Sequence, residues 1–430
     1  MIKRRTKRRG VILAALIAAA PSSLPAAELT RIVSSFDEGH PFGFSLEALY
    51  QFTQERSKIV REVHQGGQVV DMPELIHVAI DHRLVVEARI GLWRDLEFKF
   101  AVPFVFAQDR SWRYAGGTDD SNSTVANNCL RANGELFDPN CPTTGEGRQP
   151  IFNSNSNSYR GGVGDMTFGL AYAIFNQRRD DTKPMWIVGL DYTAPTAAAL
   201  DPTVPTTSDS RGNIGERVHR YKFYTSLSRR IGAFDPYFQM HYTVPARGPG
   251  WYSNCDHPSP ENMAHPENCA DPAWSRADTG IQPPQTAGVI FGSEFNFIDD
   301  RQHHYRLAVD LRGTATYFSQ GRYYNELSDL LGKLLYTEQY LQYGGALGLT
   351  AQVGAVLTLQ LRSTLVYNTP HFLTSETIGK DLDNDGKVDV TGSPREVNPN
   401  FDFRTDVVSR RFRVTDAFIF QVDASARLNF

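Results

Sequence analysis

The chain has 430 residues, 41% of them apolar, with 44 Lys and Arg against 48 Asp and Glu and a formal charge of −4. Its mean hydropathy is −0.37, and after the first thirty residues no apolar run is long enough for a spanning helix. The balance argues against a nucleic-acid partner and leaves two classes open, a soluble protein or a β-barrel whose strands each show one polar face to a lumen.

The first element is a leader. "MIKRRTKRRG" carries six positive charges and no acid, "VILAALIAAA" is apolar, and "PSSLPAAE" ends in small residues. This is the layout of a secretory signal, with cleavage near Ala26 or Ala27. The division expected is a signal peptide over 1–27 and one barrel over 28–430. Loss of the leader's six positive charges takes the formal charge from −4 to about −10.

Alternating apolar residues then recur along the chain. They begin with Phe44, Leu46, Ala48, Tyr50 and Phe52. Ile76 to Leu92 follows, with His77, Asp81, Arg83, Glu87 and Arg89 on the opposite parity. His82 interrupts the apolar face there, which a bulge or a local fault in register would explain. Leu96 to Phe106 returns with Glu97 and Lys99 opposite. Further segments cover 164–175, 186–192, 220–228 and 236–242, then 289–297, 305–311, 341–349, 357–367 and 416–430. That makes twelve. After the first hairpin the links alternate between short (Trp93, Asn176, Arg230, Asp299, Gln352) and long (Gly116, Thr203, Pro258, Glu326, Asp383). In an antiparallel meander every second link lies on the same side. All long loops therefore share one side, as in outer-membrane barrels. A soluble β-sandwich gives no reason for one-sided loops. The fold expected is an all-β transmembrane antiparallel up-and-down barrel of about twelve strands, in the outer membrane of a Gram-negative cell. Outer-membrane lipid is its first partner.

The alternation runs to the last residue, Phe430. A closing strand must pair with the first to abolish both sheet edges. Phe420, Val422, Ala424, Ala426, Leu428 and Phe430 resemble the C-terminal signature by which the barrel-assembly machinery recognises its clients. The lumen candidates by parity are Arg83, Glu87, Arg89, His241, His304, Arg306, Asp310 and Arg312. Their signs are mixed. They either pair with one another and fill a narrow lumen or line a polar pathway.

The four cysteines lie in polar stretches and suggest two local disulfides, Cys129–Cys141 and Cys255–Cys269. A zinc site is the alternative, although no CxxC spacing is present. "DLDNDGKVD" places Asp381, Asp383 and Asp385 at the first, third and fifth positions of a calcium loop. Gly386 takes the sixth, the Lys387 carbonyl the seventh and Asp389 the ninth. Gly392 stands where a bidentate Glu is expected, so the site is weak or completed from elsewhere. Calcium is the one cofactor expected, as an orderer of the last long loop.

"RGGVGDMTFGLAYAIF", Arg160 to Phe175, followed by "YTAPT", resembles the motif of the "MetA-pathway of phenol degradation" outer-membrane family. The resemblance covers Gly162 to Thr196. It implies a barrel that takes up small aromatic or other hydrophobic molecules. In this motif Gly161, Gly162 and Gly164 let the chain bend, and Asp165 can accept backbone amides at the rim. The His-x-Ser-Asn-Gly stretch of outer-membrane phospholipases is absent, and no catalytic residue is expected. The functions left open are a passive channel and a surface scaffold or adhesion barrel acting through its braced loops.

Overall fold

The computed structural model describes residues 27–36, 42–126, 151–260, 262–300, 302–390 and 394–430. The expected leader and the pair Cys129 and Cys141 lie outside them.

Twelve antiparallel strands form one closed wall. In chain order they are β1 (Phe44–Gln65), β2 (Gln68–Trp93), β3 (Leu96–Tyr114), β4 (Thr167–Phe175), β5 (Met185–Thr193) and β6 (Val218–Ser228). The circuit continues with β7 (Phe234–Arg247), β8 (Thr286–Asp300), β9 (Tyr305–Phe318), β10 (Tyr340–Val353), β11 (Leu357–Asn368) and β12 (Phe412–Asn429). Each strand pairs with its sequence neighbours, and β12 returns to β1, with Ala48 opposite Ala426 and Phe52 opposite Val422. Phe44 and Phe430 exchange both backbone hydrogen bonds, at 3.2 and 2.8 Å. The expected aromatic terminus is thus the last rung of the seam.

Alternation sets the two faces. Leu46, Tyr50, Leu170, Phe223, Phe291, Leu311, Leu347, Leu361 and Phe420 are large, apolar and exposed on the outside. Ser45, Glu97, Ser226, Gln239, Arg306, Asp310, Asp423 and Arg427 are buried on the inside. A greasy exterior around a polar interior is stable only with lipid outside. The chain is an integral β-barrel of the outer membrane, and its long loops mark the cell-surface side. Leu361, 52% exposed, sits near the middle of its strand. Leu361→Arg is expected to cost about 2–4 kcal/mol, the charge penalty at the bilayer midplane, read as a lower urea midpoint in lipid vesicles.

The wall's regular pattern is interrupted in two places. First, β1 and β2 run 22 and 26 residues, twice what a membrane crossing needs. They are joined by Gly66–Gly67 alone, both at positive φ (60° and 82°), the left-handed geometry of a tight hairpin turn. The first surface link is therefore a raised ribbon. Second, the irregularity expected at His82 is present on one side only: the β1–β2 register runs unbroken past it, whereas the β2–β3 register shifts between His82 and Arg83. His82 stays on the outer face and bonds the Tyr50 hydroxyl through Nδ1 at 2.7 Å. The extra residue lies opposite, on β3, between Val105 and Ala107.

Above membrane level the inner face turns apolar. Ile59, Leu75, Trp112, Phe412 and Val414 gather around Leu327, Leu331, Leu335 and Leu373 of the surface loops. The short helix Ser328–Leu331 sits on this inner core, so the cell-surface mouth carries a folded cap.

Candidate functional site: the lumen and its two ends

The lumen wall is charged, and its charges pair along the wall. Arg83 meets Asp81 at 3.2 Å and Arg89 meets Glu87 at 2.6 Å, each two residues apart on one strand. Arg312 meets Asp310 at 2.9 Å in the same way. Other pairs step across a single intervening strand. Lys99 of β3 reaches Asp191 of β5 at 2.7 Å, and both side chains crowd Gly169 of β4. Arg362 of β11 reaches Asp310 of β9 at 4.0 Å, over Gly348 of β10. Large rings lie flat in the same manner. Tyr224 covers Gly189, where a Cβ would meet its ring at 2.3 Å, and His241 covers Gly288. Glycine is needed there because the ring occupies the place of a side chain.

Of the lumen candidates, Arg83, Glu87, Arg89, Arg306, Asp310 and Arg312 all enter ion pairs. His241 leaves Nδ1 without a hydrogen-bond partner. His304 is a correction. It lies in the turn before β9, at a positive φ of 57°, and not on the wall. Parity was extended one step too far there, past the point where the hairpin reverses.

The periplasmic end is occupied by residues that periodicity does not mark. Residues 27–35 enter the barrel and touch strands around much of its circumference. The Glu28 carboxylate lies 2.7 Å from Arg427 of β12 and 3.3 Å from Arg306 of β9. Its backbone N–H donates to Glu294 of β8 at 2.6 Å. Thr30 shares a 2.6 Å hydroxyl bond with Ser228 of β6. Arg31 donates to Asn429 and Ser45, and the Val33 N–H donates to Glu97 at 2.6 Å. Ile32 packs with Ala171, Ala173, Met185 and Ile187. Arg306 also pairs with Glu294. The sequence signal for this segment is only the run Glu28-Leu-Thr-Arg31 just after the leader, which carries no period.

At the cell-surface end the loops are held to one another by polar clasps. Arg322 holds Glu376 with two guanidinium nitrogens, one at 2.8 Å, and donates to the Asp278 and Gly280 carbonyls at 2.7 and 3.0 Å. Arg160 bonds Asp329 and stands over the Tyr324 ring. Lys333 and Arg404 both approach Asp402. Burial opposes charge on Asp402, but Lys333 and Arg404 hold its carboxyl at about 2. Burial pushes Asp406 up to about 7, helped by Glu376 and Asp402 and opposed by Lys333. The signs are opposite. A depressed carboxyl stabilises above its ordinary range, near pH 4, and that contribution is lost as pH falls toward 2. A raised carboxyl stabilises below that range, and its contribution is lost as pH climbs from about 4 through about 7. The cap is expected to resist proteolysis best near pH 4–5, with Asp406→Asn flattening the limb toward neutrality.

The Cys255–Cys269 disulfide is formed within this cap. The acidic loop is exposed, and Asp381, Asp383 and Asp385 bring one oxygen each within 4.8 Å of the others. Asp381 also accepts the N–H groups of Asn384 and Gly386, and Asp385 that of Lys387. Residues 391–393, with the expected twelfth position, lie outside the described residues. Glu396, almost fully buried, braces the loop by accepting the N–H groups of Leu382 and Asp389. In the "GVGD" stretch, residues 164–166 leave the sheet. Asp165 accepts the Ala197 N–H at 2.8 Å and the Met166 N–H donates to Thr196 at 2.9 Å. The motif clasps the "YTAPT" segment.

No family model matches the chain, and no curated protein matches it. Among solved structures it is similar to the COG4313 outer membrane channel from Pseudomonas putida F1, with 12% identity, 95% of this chain and 100% of that one covered, and a TM-score of 0.43. It is similar also to a mutant of the TodX monoaromatic hydrocarbon channel, at 10% identity, 96% of each chain and a TM-score of 0.35. The outer membrane protease OmpT from Escherichia coli follows at 8% identity, 90% and 97% coverage and a TM-score of 0.27. At this distance the likeness assigns no activity.

Proposed function

We propose that the barrel is a passive channel for small organic solutes, gated at its periplasmic end by residues 27–35. One observation carries this reading. The lumen's charged and aromatic side chains pair along the wall and lie over glycines, so the wall itself spends them on its own lining. A barrel filled for stability alone would interdigitate them across its axis. Mixed signs favour solutes with both an apolar body and a polar group over a strongly charged ion. The resemblance of the Gly162–Thr167 motif to the phenol-degradation family adds small aromatic molecules to that class. Swelling of liposomes loaded with the purified protein tests the reading. Phenol or benzoate entering faster than a sugar of similar size is the expected result. Vesicles that stay impermeable to all three, with residues 28–35 present or deleted, overturn it.

The folded cap supports a second reading, a surface scaffold working through its loops, and adhesion lost on loop exchange with no solute flux would favour it. In either case the Phe430 seam supports handling by the barrel-assembly machinery. The convergence of Asp381, Asp383 and Asp385 supports a weak calcium site in the cap. Calorimetry with calcium chloride is expected to give a constant of about 10⁻⁴–10⁻³ M, the range of extracellular modules, abolished by Asp383→Asn.

A further inference from the structure

Asp235 opens β7 from inside the barrel, opposite Glu294. It is wholly buried, yet neither carboxylate oxygen has a well-formed hydrogen bond, and it makes no ion pair among the described residues. The cations nearby are engaged elsewhere. Arg230 pairs with Asp299 at 2.7 Å, and Arg306 is shared by Glu28 and Glu294. A buried carboxylate without a partner is costly and needs a positive charge to compensate it. The Thr30 hydroxyl bonds the Ser228 hydroxyl at 2.6 Å and the Ala27 carbonyl at 3.2 Å, and the Glu28 N–H donates to Glu294, the cross-strand partner of Asp235, at 2.6 Å, which brings the start of this segment to the Asp235 carboxylate. Ala27 is itself fully buried, and its carbonyl accepts the Thr30 N–H at 2.8 Å. This position is therefore fixed.

We propose that export processing cuts between Ala26 and Ala27, and that the new α-ammonium of Ala27 is the missing partner of Asp235. The signal peptidase adds water across that peptide bond. Ala26 leaves with the carboxylate and Ala27 keeps the amine, which takes up a proton. A neutral amide becomes a cation at the place where the barrel holds an unmatched anion. The carboxylate set Asp235, Glu294 and Glu28 then faces Arg306, Arg427, Arg31 and one new charge. Removal of the leader thus places a cation beside the one carboxylate of this set that lacks a partner of its own and pins the start of the mature chain inside the wall. Cutting one residue later removes Ala27, puts the amine beside Glu294, which already has Arg306, and leaves Asp235 unmatched.

Two measurements on the protein purified from membranes with its native leader test this, and neither depends on transport. Intact mass and N-terminal sequencing are expected to show Ala27 first. A mature chain starting at Glu28, or anywhere else, overturns the proposal. Reductive methylation of the folded protein at neutral pH then probes the amine. The α-amine is expected to react about tenfold more slowly than in Asp235→Asn, as a one-unit rise in basicity requires. Equal rates in the two proteins overturn it. The asparagine keeps the side-chain shape, and a third protein, Asp299→Asn, controls for a general loosening of that end, since its amine is expected to stay slow.

Discussion

Deleting Glu28 to Ser35 is expected to raise single-channel conductance several-fold. Pairs such as Lys99–Asp191 and Asp310–Arg362 belong to the wall and remain when the segment goes. What leaves is the material that projects from the wall: Glu28, which pairs with two wall arginines, Thr30, and Ile32 against β4 and β5. The barrel itself should survive, because its ladder is continuous without these residues. The deletion does strand Arg427 and Arg306, but Glu47 lies 3.7 Å from the first and Glu294 pairs with the second. Planar-bilayer recording of the refolded deletion against the full mature chain checks this. A deletion that conducts no better than the intact protein places the constriction at the cap and removes the segment from the gating role.

Arg322→Ala is expected to unfold the cap while sparing the wall. Arg322 and Glu376 are both nearly inaccessible, at 3% each for their side chains. Removing one member of such a pair typically costs about 3–5 kcal/mol, because the other charge stays buried. Among the described residues Glu376 then keeps one side-chain donor, the Asn398 amide at 3.1 Å. The arginine also ties the Asp278 and Gly280 carbonyls to the strand Gly321–Tyr323, so its loss frees two loops at once. Lysine should not rescue it, since one ammonium cannot span the carboxylate and both carbonyls in this fork. The readout is proteinase K cutting of the loops on intact cells, set beside the heat-modifiable mobility of the barrel in detergent gels. Fast cutting with unchanged mobility is the expected pair of results. Unchanged cutting would place the cap's stability in the apolar core around Trp112 and Leu327.

The wall was legible because its code is periodic. Each strand from Phe44 to Phe430 shows one apolar parity, and a lipid-facing surface tolerates few exceptions. His82 is such an exception: the Tyr50 hydroxyl one strand away satisfies it, and the β2–β3 register shifts beside it. Register was beyond the sequence. Nothing local says that Lys99 will meet Asp191 across Gly169, or that Tyr224 will lie on Gly189, because both depend on which residues stand opposite after closure. The N-terminal segment was invisible for a related reason. Glu28 and Arg31 gain meaning from distant partners, among them Arg427 and Asn429, about four hundred residues away. The turn at His304 shows the opposite error, a parity rule carried beyond the strand that justifies it. Surface loops follow no period, so the Arg322–Glu376 clasp had no signature at all.

The seam between β1 and β12 fixes the order of assembly. Its partners are the first and last strands made, so the mean sequence separation of the contacts is high and the search for them slow. Until Phe430 arrives, two strand edges remain open to pairing with other chains. A protein of this design should therefore fold slowly on its own in vesicles, and loss of the last few residues should harm biogenesis more than an equal loss from any surface loop.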